Sequence, residues 1–95
     1  MRRAYIFVYS EHLGAREEMK KILDSIPQIV NWRFELPNSF YLISESTAQQ
    51  LCDLIADKCG EKAKRGFLVA EINANRQGFL DKESWTLLTE KHLPR

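Results

Sequence analysis

The chain has 95 residues, room for one domain that buries roughly two-thirds of its unfolded surface but not for a multi-domain enzyme. Hydrophobic residues make up 44% and charged residues 28%, close to globular averages, which sets disorder and a membrane protein aside and predicts a soluble folded domain spanning residues 1–95. Fourteen Lys and Arg against thirteen Asp and Glu leave a net charge of +1, so nucleic acid or an acidic partner would need a local patch rather than bulk charge.

The first apolar run, residues 4–9, is far too short for a secretory h-region or a membrane span, and cytoplasmic residence is the expectation. It reads as a strand with Tyr5, Phe7 and Tyr9 on one face and Ile6 and Val8 on the other; apolar on both faces, it belongs at the centre of a sheet. After residues 10–14, Ala15, Met19, Ile22, Leu23 and Ile26 recur with helical spacing, Glu17 and Glu18 suit the first turn, and Pro27 closes the helix.

Val30, Trp32, Phe34 and Leu36 alternate with Asn31, Arg33 and Glu35, the pattern of an edge strand with one wet face. Pro37-Asn38 is a turn pair, and Phe40-Tyr41-Leu42-Ile43 predicts the second arm of an antiparallel hairpin. Ser46 and Gln49 fit a capping box for a second helix whose apolar stripe is Ala48, Leu51, Cys52, Ile55 and Cys59, with Gly60 as its C-cap. Cys52 and Cys59 lie about 10 Å apart along that helix axis, so they form no disulfide with one another there. They also lack the spacing of a metal or redox motif, and half-buried thiols are the expectation.

A basic turn with Lys62, Lys64 and Arg65 leads into a fourth strand over residues 66–72. A terminal helix over about 81–92 follows, capped by Asp81, with Leu80 and Trp85 at the staple positions, Leu88 and Leu87 on its apolar side, Lys91 and His92 at its end and Pro94 as its stop. The order is βαββαβ plus a helix. The expected fold class is α+β, a ferredoxin-like sandwich with an additional C-terminal helix and with the first and third strands in the centre.

That fold leaves one sheet face open. If the Tyr5, Phe7, Tyr9 row faced that way, a dimer partner, the terminal helix or stacked bases would have to cover it. Packing is the commoner fate of such a row. Arg65-Gly66-Phe67-Leu68-Val69 faintly resembles an RNA-recognition signature, but that signature belongs in the third strand and this segment in the fourth.

The cationic candidates for phosphate contact are Lys62, Lys64 and Arg65, with Arg2 and Arg3 close by if the first and fourth strands pair, and Arg33 on the edge strand. Pairing of Arg33 with Glu35 or a neighbouring strand competes with that role. Glu11 and His12, in the loop after the first strand, are weak catalytic candidates. Two histidines give no zinc set, the serines form no triad motif, and the four glycines make no phosphate loop, so no resident cofactor or metal is expected.

The first strand, the hairpin running from Trp32 through Arg33-Phe34-Glu35-Leu36-Pro37-Asn38-Ser39-Phe40-Tyr41-Leu42 to Ile43, and the closing Gly78-Phe79-Leu80 with Trp85-Thr86-Leu87-Leu88 resemble the SinR-like small proteins. These are related to the second universal CRISPR-associated protein, a ferredoxin-like dimer of spacer acquisition with metal-dependent nucleases among its members. The resemblance implies the fold, a homodimer, and a place in defence or mobile-element biology. In the nuclease branch an Asp ends the first strand and holds the metal, and here Ser10 stands in its place, a poor ligand for a hard cation. No catalytic residue carries over.

The leading expectation is a non-catalytic, nucleic-acid-associated or protein-interacting homodimer without a membrane. The alternatives are a Mg2+-dependent nuclease using Glu11 and His12, and a small-ligand regulatory domain.

Overall fold

The computed structural model describes residues 1–91. In chain order the elements are β1 (Arg3–Tyr9), α1 (Arg16–Asp24), β2 (Ile29–Arg33), β3 (Ser39–Ser44), α2 (Ala48–Cys59), a 3₁₀ turn (Gly60–Arg65), β4 (Phe67–Ile72) and α3 (Lys82–Glu90). The fold is α+β, with one four-stranded sheet in the order β2-β3-β1-β4, every neighbouring pair antiparallel, and β1 and β3 in its centre. Among the described residues no helix is long and apolar enough to cross a membrane.

Alternation along the strands sorts the apolar side chains into two layers. Tyr5, Phe7 and Tyr9 of β1 join Phe40 and Leu42 of β3 beneath Met19 and Leu23 of α1 and Leu51 and Ile55 of α2. Phe7 is fully buried, its ring centroid 5.2 Å from Tyr9, 5.7 Å from Phe67 and 6.3 Å from Phe40. The aromatic row therefore faces the two helices and is interior packing, closed to stacked bases. The opposite face carries Ala4, Ile6, Tyr41, Ile43 and Ile72, and α3 lies over them through Leu87 and Leu88, with Leu80 and Trp85 at its start.

Several boundaries depart from expectation, each for a local reason. The predicted row of Val30, Trp32, Phe34 and Leu36 is broken by a bulge between Ile29 and Asn31, so that Ile29 and Trp32 share the helix-side layer while Val30 turns to solvent. The strand ends at Arg33, before Phe34 and Leu36. Phe34 instead receives the Arg16 guanidinium 4.1 Å above its ring.

The cap of α2 is Thr47 rather than Ser46: Thr47 Oγ1 accepts from the Gln50 N–H and the Gln50 side chain accepts from the Thr47 N–H. Ser46 is kept from that role because its own N–H donates to Ser44 Oγ, and its carbonyl accepts from the Tyr5 hydroxyl. Gly60, with φ of 62°, closes α2 and allows the chain to tighten into the 3₁₀ turn. Cys52 and Cys59 are unbonded and half-buried, and burial pushes the Cys59 thiol up. Asp81 caps α3 as expected, and Lys91 ends it in a left-handed conformation; His92 and Pro94 lie outside the described residues.

Candidate functional site

The start of α3 is held to β2 by a hydrogen-bonded cluster. Arg33 donates from Nη2 to Asp81 Oδ2 at 2.6 Å, from Nη1 to Glu83 Oε2 at 3.0 Å and from Nε to Ser84 Oγ at 3.0 Å. The buried Ser84 hydroxyl donates in turn to Glu35 Oε1 at 2.6 Å, and the Asp81 N–H donates to the Glu35 carboxylate. The Ser84 N–H and the Arg33 guanidinium together hold the Asp81 carboxyl below its usual range. Arg33, a sequence candidate for phosphate contact, thus has three of its donors engaged with α3. Its partners lie about fifty residues away in sequence and outside the reach of local patterns.

The remaining cationic candidates are dispersed. β1 and β4 do pair, but antiparallel: Ala4 lies opposite Ile72 and Tyr9 opposite Phe67. Arg2 and Arg3 therefore sit at one end of β1, and Lys62, Lys64 and Arg65 at the other, roughly 20 Å away at about 3.3 Å per residue. The expected proximity of the two groups is corrected by that strand direction. Lys62 pairs with Glu18 at 3.6 Å, Lys64 with Glu61 at 3.6 Å, Arg65 donates to the His12 carbonyl at 3.2 Å, and Arg2 reaches the Lys91 carbonyl at 3.5 Å.

Glu11 and His12 both stand in solvent with 3.9 Å between their nearest charged atoms. Ser10 Oγ accepts from the His12 N–H, which turns the chain away from the end of β1. Among the described residues no three His, Cys, Asp or Glu side chains converge on a position for a metal ion.

Two features of the second sheet face were not legible in the sequence. α3 covers only the end of the face near Ala4 and Ile43, leaving Leu68 61% exposed and the Val8 opposite it 42% exposed. β4 is the outermost strand on that side. The second feature is a cavity of about 260 Å³ between the sheet, α3 and residues 73–81, lined by Leu36, Tyr41, Ile72, Leu80, Trp85 and Leu88, with Arg76, Gln77 and Phe79 on the same wall.

Tyr41 is 3% exposed, and its hydroxyl has no hydrogen-bond partner among the described residues. Burial, aided by the Glu35 and Asp81 carboxylates, holds its phenol above the ordinary tyrosine range. The alternation in residues 40–43 places Tyr41 on the α3 side of the strand, but only the tertiary fold leaves its hydroxyl alone. Comparisons with family models, curated proteins and solved structures yield no match to this chain.

Proposed function

We propose that the protein is a ferredoxin-like homodimer that acts as a protein-interaction module, its two copies joined along β4 and the uncovered corner of the second sheet face. The element order and the strand order β2-β3-β1-β4, with β1 and β3 central, support the ferredoxin-like reading. The observation that carries the dimer is the exposed Leu68–Val8 pair lying beside the outer edge of β4.

Exposed edges are templates for pairing, and natural edge strands are commonly blunted by lysine, proline or a bulge. β4 reads Phe-Leu-Val-Ala-Glu-Ile, with no proline or lysine and one charge. Antiparallel pairing of two β4 strands about a two-fold axis brings the Lys64 and Arg65 start of each strand beside Glu71 of the other copy, an arrangement of opposite charges. It also joins the two Leu68 corners into one apolar patch. The resemblance to SinR-like proteins supports two-fold association and, with it, a role in defence or mobile-element biology.

The solvent positions of Glu11 and His12 and the turn made by Ser10 favour a non-catalytic role over a magnesium-dependent nuclease. The separation of Arg2 and Arg3 from the 3₁₀ turn, and the engagement of Arg33, favour a protein partner over nucleic acid. Light scattering tests the reading: the wild type should have twice the mass of one chain, and Leu68→Glu should reduce it to a folded monomer. A wild type that is monomeric at high concentration overturns the proposal. Salt-sensitive binding to labelled DNA or RNA by the wild type would transfer it to the nucleic-acid reading.

A further inference from the structure

Neither the β4 edge nor the Arg33 cluster uses a cavity of about 210 Å³ where the end of β1 meets residues 34–39 and the start of α1. We propose that this cavity binds a small monocarboxylate with a short apolar body, its carboxylate held by Arg16 and the Tyr9 hydroxyl. At about 30 Å³ for each water-sized group, the volume accommodates on the order of seven such groups, the size of a branched five-carbon acid. Phe34, Leu36 and Pro37 supply an apolar wall for its chain.

The wall is fixed by the fold. The Tyr9 N–H donates to the Asn38 carbonyl at 3.0 Å, the Ser39 hydroxyl donates to the Leu36 carbonyl at 3.0 Å, and Asn38 turns the chain with a φ of 54°. Tyr9 is 5% exposed, its ring stacked 5.2 Å from Phe7 and 6.0 Å from Phe40. Its hydroxyl has no hydrogen-bond partner among the described residues, and unlike the sealed hydroxyl of Tyr41 it keeps accessible surface on a residue that lines the cavity. A ligand oxygen can therefore accept from it without displacing another partner.

Arg16 selects an anion. Its guanidinium stands 4.1 Å from the centre of the Phe34 ring, its Nε is 4.0 Å from Glu17, and neither Nη has a partner among the described residues. Two free donors on one planar fork match the two oxygens of a carboxylate. The other charges nearby limit the ligand to one negative charge. Glu17 also pairs with Lys20 at 3.2 Å, so Arg16, Lys20 and Glu17 together leave one positive charge. Glu35 lines the cavity, but its carboxylate accepts from the Ser84 hydroxyl and the Asp81 N–H on the α3 side of the sheet, where Arg33 stands against Asp81 and Glu83. That side holds three carboxylates to one cation, so a second charge on the ligand finds no counter-ion. Burial raises the Tyr9 phenol above its ordinary range and Arg16 opposes the rise, which places the cation and the hydroxyl within reach of one another.

The test is titration of the full chain with isovalerate, with its neutral counterpart isovaleramide and with inorganic phosphate, followed by amide and arginine Nε–H resonances. The expected result is saturable isovalerate shifts at Arg16, Phe34 and Leu36, with the Trp85 indole beyond the sheet unmoved. Arg16→Gln, an exposed substitution, should weaken isovalerate by at least about tenfold, and Tyr9→Phe, which keeps the ring stack, by about fivefold to tenfold. The absence of saturable shifts at Arg16 and Phe34 at tens of millimolar isovalerate overturns the site. Unchanged affinity in Arg16→Gln, or isovaleramide binding as tightly as isovalerate, overturns the role of charge. Unchanged affinity in Tyr9→Phe overturns the role of the hydroxyl, and phosphate binding as tightly as isovalerate overturns the monocarboxylate class.

Discussion

Tyr41→Phe should stabilise the protein, an unusual direction for a substitution in the interior. The ring is 3% exposed and packs with Ala4, Ile43, Leu87 and Leu88, contacts that phenylalanine keeps. What is removed is a buried hydroxyl without a partner among the described residues, a group whose uncompensated desolvation costs about 1–3 kcal/mol. Against that stands the void left by one oxygen, roughly 0.3 kcal/mol at about 24 cal/mol for each Å³.

The net gain is then about 1–2 kcal/mol, which raises a urea midpoint by roughly 0.5–1 M in a chain of this size. Each kcal/mol corresponds to about 4–8 °C in Tm. The gain should widen above the ordinary tyrosine pKa. There the unfolded phenol loses its proton while the folded one, held neutral by burial, keeps it, so the wild type loses stability as pH rises and the variant escapes that loss. Paired urea titrations of wild type and Tyr41→Phe at neutral and alkaline pH measure both effects. A midpoint lower in the variant would refute the reasoning, because it would mean that the hydroxyl has a partner worth keeping.

Other substitutions probe separate parts of the account. Phe7→Ala, which removes a fully buried ring stacked with Tyr9 and Phe40 and edge-on to Phe67, should cost about 3–5 kcal/mol in urea unfolding; a well-folded variant of near wild-type stability would contradict the packing of the aromatic row. Thr47→Ala should cost about 1 kcal/mol through loss of the α2 cap, whereas Ser46→Ala, which keeps the backbone contacts of residue 46, should cost less. Asp81 is held below its ordinary pKa by Ser84 and Arg33, so its stabilisation is complete above the usual carboxylate range and is lost as pH falls through it. Asp81→Asn should therefore flatten the acid limb of the stability profile, and an unchanged limb would show that the cluster contributes nothing there.

The local chemistry of the chain announced much of this architecture. Apolar character on both faces of residues 4–9 and the apolar run 40–43 after the Pro37-Asn38 turn mark the central strands, and the Asp81 cap with the Leu80–Trp85 pair marks α3. What escaped were features set by distant partners. Arg33 looked available because its partners Asp81, Glu83 and Ser84 come from an element that pattern alone cannot dock. The bulge at Val30 shifted a strand face by one residue, which a regular alternation hides. The cap moved from Ser46 to Thr47 because the Ser46 backbone is tied to the Ser44 hydroxyl and to Tyr5, outside the helix, and Thr47 Oγ1 is the hydroxyl that accepts from the Gln50 N–H. The exposed Leu68 corner and the solitary Tyr41 hydroxyl depend on how far α3 reaches across the sheet, which is a matter of tertiary packing.

The most direct test of the central claim is amide hydrogen exchange along β4 over a protein dilution series. A dimer paired through this edge predicts that the β4 amides pointing away from β1 are protected at high concentration, lose protection on dilution, and are unprotected in Leu68→Glu at every concentration. Outward β4 amides that exchange at the solvent rate at all concentrations, in a chain whose mass stays that of a monomer, would contradict it.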